Sequence, residues 1–167
     1  MPLTAEQRER IVRAAKEWLG TPYHHHGRVK GAGADCAMFP LAVFQECGLL
    51  PLDYLPPQYS VQWHLHRSEE LYLNELTKFC VEISRPPRPG DFVVFRFGRT
   101  FSHGAIVLDW PKIIHSYIPH GVLLSDALRD GELAGRELKI FEVFTAEDME
   151  NTEAKSQCPS ETSVVKG

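Results

Sequence analysis

One cysteine and two histidines stand where they could carry out nucleophilic chemistry. Asp35, a residue type favoured at helix N-caps, directly precedes an apolar run from Cys36 to Glu46, so the pattern predicts the Cys36 thiol in the first turn of a helix. There the partial positive charge of the backbone amides favours the thiolate, the nucleophilic form. A free thiol of pKa ~8.5 is only a few per cent ionised at neutral pH, and a nearby imidazole is the usual means of raising that share. The competing reading of Cys36 is a small buried hydrophobe, the common fate of a lone cysteine.

His103 and His115 supply the imidazoles. They fall in two strand-like runs, His103 to Leu108 and Lys112 to Tyr117. If the turn between them is centred on Asp109, His103 lies directly opposite His115 on one face of an antiparallel pair, at the close spacing of cross-strand neighbours. A slip of one residue would send the two rings to opposite faces. The arrangement predicts His103 as a general base and His115 as the group that orients it.

The remaining histidines and cysteines offer less. His24, His25 and His26 are consecutive in a Gly-bounded loop, and three adjacent side chains seldom converge on one ion, so they are expected to line the cleft and not to bind metal. His64, His66 and His120 read as surface residues. Cysteines at 36, 47, 80 and 158 form no Cys-x-x-Cys pair, which argues against a zinc cage and a disulfide framework. No metal or organic cofactor is expected.

The elements that must position these groups follow from the pattern around them. Thr4 and Gln7 form a capping-box signature, and Ile11, Val12, Ala15, Trp18 and Leu19 share one helical face, which predicts a helix from Ala5 to Leu19. The stretch from Tyr23 to Ala34 reads as loop. The Cys36 helix is apolar on most sides and therefore buried, ending at Gly48. After a proline-rich stretch, Leu50 to Pro57, come two short helical patterns, Gln58 to His66 and a run capped by Ser68 that carries Leu71, Leu73 and Leu76. Beyond Arg85, strand-like runs cover Asp91 to Phe97, the two histidine runs, Gly121 to Leu124 and Lys139 to Phe144, with a short helix near Leu128. Helices first and an antiparallel meander second is an α+β order. Residues 1–148 are expected to form one domain and the polar residues 149–167 a disordered tail.

Charge and hydropathy exclude other classes. The 18 Lys and Arg against 22 Asp and Glu give a net charge of −4, so no basic field is present to hold nucleic acid or an anionic membrane. No apolar run approaches the ~20 residues of a bilayer span, and the start, MPLTAEQRER, lacks the apolar middle of a secretion signal. Synthesis in the cytoplasm without an export address is the expectation.

Five segments, in order, carry a family resemblance: WLGTPYHHHG, ADC at a helix start, RPGDFVVF, FSHGAIVL and KIIHSY. Together they resemble the NlpC-type cysteine peptidases of bacterial cell walls, over Trp18 to Tyr117. The nearest flavour is the stand-alone peptidases of phage tails and gene-transfer particles. The resemblance implies a reduced papain-like α+β fold, with N-terminal helices packed on a C-terminal antiparallel sheet. It implies Cys36 as nucleophile, His103 as base, His115 as the orienting residue and Tyr23 as a hydroxyl supporting the oxyanion. It further implies Asp35 at the free amine of a stem peptide. Two departures stand out: Ala37 and Met38 replace the usual Ser-Gly after the cysteine, and three histidines precede the single Gly27 after Tyr23.

The activity implied is hydrolysis of an amide bond in peptidoglycan stem peptides, γ-D-glutamyl to diamino acid, through a thioester. The partners implied are the stem peptide and phage-tail or tail-like particle proteins. Two rivals remain. An acyltransferase on the same scaffold is disfavoured because its relatives place histidine before cysteine, whereas Cys36 precedes His103. A non-catalytic subunit of a tail-like assembly would be expected to lack a triad member, and Cys36, His103 and His115 are all present.

Overall fold

The computed structural model describes residues 2–57, 70–145 and 148. Helix α1 spans Ala5–Lys16, with the capping box made as expected: the Thr4 side chain accepts from the Gln7 amide, and the Gln7 side chain accepts from the Thr4 amide. It stops a turn before the expected Leu19, and the chain turns through Gly20, which adopts φ 82°. Trp18 is nevertheless buried, edge-on to Phe39.

Two short strands, β1 (Arg28–Val29) and β2 (Gly33–Ala34), pair as a hairpin inside the segment expected to be loop. Helix α2 runs over Met38–Glu46, with every residue but the last buried. Its regular turns start two residues later than expected, yet Asp35 still caps it. The Asp35 carboxylate accepts from the amides of Ala37 and Met38, and its carbonyl accepts from Phe39. Helix α3 spans Leu71–Leu76. The pattern expected over Gln58 to His66, and its neighbour Ser68, lie outside the described residues.

The remainder is a six-stranded antiparallel sheet in the order β3-β8-β4-β5-β6-β7. Its strands are β3 (Cys80–Ile83), β4 (Phe92–Phe97), β5 (Thr100–Asp109), β6 (Lys112–Tyr117), β7 (Gly121–Asp126) and β8 (Leu138–Val143). The expected meander is β4 to β7. The edge strand β3 carries no long apolar alternation and was not expected. The helix expected near Leu128 is instead a turn, because the Asp126 side chain accepts from the Leu128 and Arg129 amides and draws the backbone into a local bond.

Strand alternation divides the core. Phe92, Val94, Ile106 and Ile114 face α1 and α2, where they pack with Ile11, Trp18, Phe39 and Val43. Val93, Phe95, Ala105, Val107 and Ile113 face the other way, under Ala127 and Leu133. The first helix is clamped to the sheet by ions. Fully buried Asp91 meets Arg8 at 2.8 Å and Arg85 at 2.6 Å, while Glu142 meets both arginines at 3.0 Å. Each carboxylate also accepts a backbone amide, Arg88 and Leu3 respectively, so the charges are satisfied from several sides.

Candidate active site

A strand irregularity sets the position of His103. On β5, His103 pairs with Phe95 and Phe101 pairs with Arg96, which leaves Ser102 as the extra residue of a bulge. A bulge breaks the two-residue alternation. Phe101 therefore joins the helix-side core, while the His103 ring packs among Phe95, Phe97 and Tyr117.

His103 Nε2 lies 2.6 Å from His115 Nδ1, and His115 Nε2 lies 2.7 Å from Ser125 Oγ on β7. Both rings are buried. Burial lowers the His115 pKa from about 6.5 to about 4, against a smaller opposing effect of Asp130. His115 is thus neutral at physiological pH, and a neutral imidazole can accept from His103 through one nitrogen only if it donates through the other. The expected base and orienter are brought together. Their register differs from the expected one. The ladder pairs Ile106 with Ile114 and Val107 with Ile113, and the turn is made by Trp110 and Pro111, so the two histidines meet diagonally. A shift of two residues preserves the face, which is why the contact survives.

Cys36 is half-buried at the head of α2, its Sγ 3.8 Å from the Ser102 carbonyl oxygen, one residue before His103. The Tyr72 hydroxyl on α3 donates to the Cys36 carbonyl at 3.2 Å. Ser116, beside His115, donates to the Ala34 carbonyl at 2.7 Å and so ties the cysteine-bearing segment to β6.

The thiol departs from the expectation of a helix tip that favours the thiolate. Burial pushes Cys36 up to about 12, and the negative charge of Asp35 adds to the rise. The amides of Ala37 and Met38 at this helix end are taken by the Asp35 carboxylate. Hydrogen bonds from the Cys36 and Gly104 backbone oppose the shift without overcoming it. Burial thus favours the protonated thiol at Cys36.

Tyr23 is half-buried and bridges to Ala34. Burial holds its phenol well above the ordinary value, with the negative charge of Asp35 acting in the same direction, so it remains a neutral donor. Asp35 is fully buried. Besides the helix cap, its second oxygen accepts from the His26 amide at 2.8 Å, with His25 Nδ1 at 3.8 Å. The His24 to His26 loop is thereby anchored beneath the cysteine helix. His24 is exposed, with Nδ1 3.0 Å from the His25 carbonyl oxygen, and His26 takes a positive φ of 60°. Among the described residues no group of three or more His, Cys, Asp or Glu side chains could hold a metal ion. His120 is exposed, and His64 and His66 lie outside the described residues.

Ser125, Tyr72 and Ser116 escaped the reading of the sequence. Ser125 was within reach: the strand expected to end at Leu124 runs on to Asp126, and Ser125 pairs with Ile113, two residues from His115 on the same face. Tyr72 carries no local signal, since its role depends on where α3 docks. Behind Cys36, a cavity of about 410 Å³ opens between α2 and α3, walled by Leu41, Phe44, Leu50, Tyr54, Tyr72 and Phe92.

The profile of the NlpC/P60 family matches residues 20–132, more than half of the chain and inclusive of Cys36, His103 and His115. The chain belongs to the NlpC/P60 family. Solved structures agree on the α+β fold. The NlpC/p60 domain of the peptidoglycan hydrolase SagA is 19% identical with a TM-score of 0.53, covering 80% of this chain and 97% of that domain. NlpC1 from Trichomonas vaginalis is 16% identical with a TM-score of 0.60, covering 85% of this chain and 45% of that one. RipD from Mycobacterium tuberculosis, a non-catalytic NlpC/p60 domain protein adapted to peptidoglycan binding, is 13% identical with a TM-score of 0.52, covering 84% and 100%. No curated protein matches. The family thus holds peptidoglycan hydrolases and at least one member without catalysis.

Proposed function

We propose that this NlpC/P60 domain is a cysteine endopeptidase that hydrolyses an amide bond of peptidoglycan stem peptides, the γ-D-glutamyl to diamino acid bond. The observation that carries the reading is the 2.6 Å contact between His103 Nε2 and His115 Nδ1, on strands adjoining the helix tip that bears Cys36. Because His115 engages Nε2, His103 would act as base through Nδ1.

In the proposed reaction, the Cys36 proton passes to His103 as the sulfur attacks the scissile carbonyl carbon. Burial raises the Cys36 thiol, so its proton must pass to His103 before or during attack. The tetrahedral oxyanion accepts hydrogen bonds from the Tyr23 hydroxyl and the Cys36 amide. His103 then returns the proton to the departing amine, leaving a thioester. Water, deprotonated by His103, attacks the thioester, and the carboxylate product leaves as the thiol is restored. Asp35, fully buried and bonded to the His26 amide, would hold the His24 to His26 loop beside the end of the cleft where the amine of the stem peptide would lie. In this reading the protein is delivered to the wall as part of a phage-tail or tail-like particle.

The test is incubation of the protein with purified muropeptides and mass analysis of the products. Cleavage at the γ-D-glutamyl bond by the wild type, abolished in Cys36→Ala and His103→Ala, is expected. Intact muropeptides after incubation with folded wild type would refute the assignment and favour a binding role like that of RipD.

A second reading, acyl transfer from an apolar donor, draws on the cavity behind Cys36, whose walls suit a hydrocarbon chain better than a stem peptide. A series of p-nitrophenyl esters separates the two. Turnover that climbs with acyl length would favour acyl transfer, and flat, slow turnover beside rapid muropeptide cleavage would favour the peptidase.

A further inference from the structure

We infer that Ser125 is a positioning residue for the catalytic base, acting as a hydrogen-bond acceptor that selects the tautomer of His115. The inference rests on the peptidase reading for its catalytic meaning, but its physical content stands on the side-chain chain His103, His115, Ser125.

Two protonation patterns fit these contacts. In the first, His103 Nε2–H donates to His115 Nδ1, and His115 Nε2–H donates to Ser125 Oγ. His103 Nδ1 then carries a lone pair and can take the Cys36 proton. In the second, Ser125 donates to His115 Nε2, His115 Nδ1–H donates to His103 Nε2, and His103 Nδ1 already holds a proton. That pattern blocks the base. Only the first supports catalysis, so everything turns on which ring nitrogen of His115 carries hydrogen.

The surroundings favour the first pattern. Burial excludes the doubly protonated ring near neutrality, so His115 must hold its single proton on one side or the other. Ser125 is the partner at Nε2, at 2.7 Å, on the strand adjoining β6. A serine oxygen accepts readily while its own proton turns elsewhere, and the Asp130 carboxylate, which accepts from the Asp126 amide next to Ser125, adds a negative charge on the Ser125 side that favours a proton at Nε2. Ser125 sits two positions along β7 from Leu123, the residue that pairs with His115, and opposite Ile113. This diagonal place on one face is held by the ladder itself and not by a loop.

Ring-nitrogen chemical shifts of His115 in ¹⁵N-labelled protein read the tautomer directly. The wild type is expected to show Nε2–H. Ser125→Ala should lose that preference, moving the shifts toward Nδ1–H, with kcat for muropeptides down roughly tenfold to a hundredfold and KM little changed. Ser125→Thr, which keeps the hydroxyl, should restore both. A purely structural serine would leave the tautomer in place, so unchanged His115 shifts in Ser125→Ala, or Nδ1–H in the wild type, would overturn the inference. Nε2–H lost in Ser125→Ala, in a wild type that cleaves no muropeptide, would support the Ser125 assignment while sinking the peptidase reading.

Discussion

His103 and His115 meet on a diagonal. Continuing the β5–β6 register beyond Ile106 and Ile114 places Ala105 across from His115 and Tyr117 across from His103, yet the two imidazoles are joined at 2.6 Å. A diagonal neighbour is reachable because long flat rings span the wider spacing. If His115 orients the base, the length and acceptor character of its side chain both matter. His115→Ala should lower kcat by on the order of 10²- to 10⁴-fold with little change in KM. His115→Asn retains a polar group and should fall less. Equal kcat in wild type and His115→Ala would remove the orienting role.

The same burial that keeps His115 neutral makes the fold sensitive to acid. Its pKa is about 6.5 when unfolded and about 4 when folded, so the unfolded chain binds the extra proton between those values. The contribution is fully present above pH 6.5 and is lost as pH falls toward 4. Between pH 7 and pH 5 the loss amounts to about 2 kcal/mol. Denaturant titrations at the two pH values should show that fall in the wild type and a flatter response in His115→Asn. Parallel pH dependence in both proteins would place the acid sensitivity elsewhere.

Cys36 should alkylate like an ordinary half-buried thiol and not like a preformed thiolate. Its pKa is raised by burial and by Asp35, and Cys47 and Cys80 are raised mainly by burial too. In the absence of substrate, the rate of iodoacetamide labelling at Cys36, followed by peptide mapping, should still be climbing at pH 9. A plateau below pH 8 would mean that a resting thiolate and imidazolium pair exists after all.

The order of helices, the meander and the pairing of the two histidines could be seen in the sequence because each rests on local spacing. Thr4 and Gln7 announce α1, Asp35 announces the cysteine helix, and period-two runs announce β4 to β6. What could not be seen arises between elements. The bulge at Ser102 leaves no mark in composition, since a serine there suits a regular strand equally well. The state of the thiol is also set between elements: burial raises Cys36 first, and the Asp35 carboxylate that caps the helix adds its negative charge. The docking of α3 against Gly104 is likewise a tertiary event.

That last contact leads to a mutation that separates packing from chemistry. A Cβ on Gly104 would collide with the Phe92 ring and the Tyr72 hydroxyl, which stack on each other at 6.3 Å on the helix side of β5. Gly104 is needed for this close approach and not for any unusual backbone angle. In Gly104→Ala, Tyr72 must withdraw, and the hydrogen bond from its hydroxyl to the Cys36 carbonyl is lost. Overpacking of this kind costs about 1 to 3 kcal/mol. Stability should fall by that amount, and kcat should fall with it as the cysteine-bearing turn loosens. The double variant Gly104→Ala with Tyr72→Phe separates the two effects, because removing the hydroxyl relieves part of the collision without restoring the bond. It should regain part of the stability, the Phe92 contact remaining, and leave kcat low. Recovery of both would show that Tyr72 serves Cys36 only by filling space.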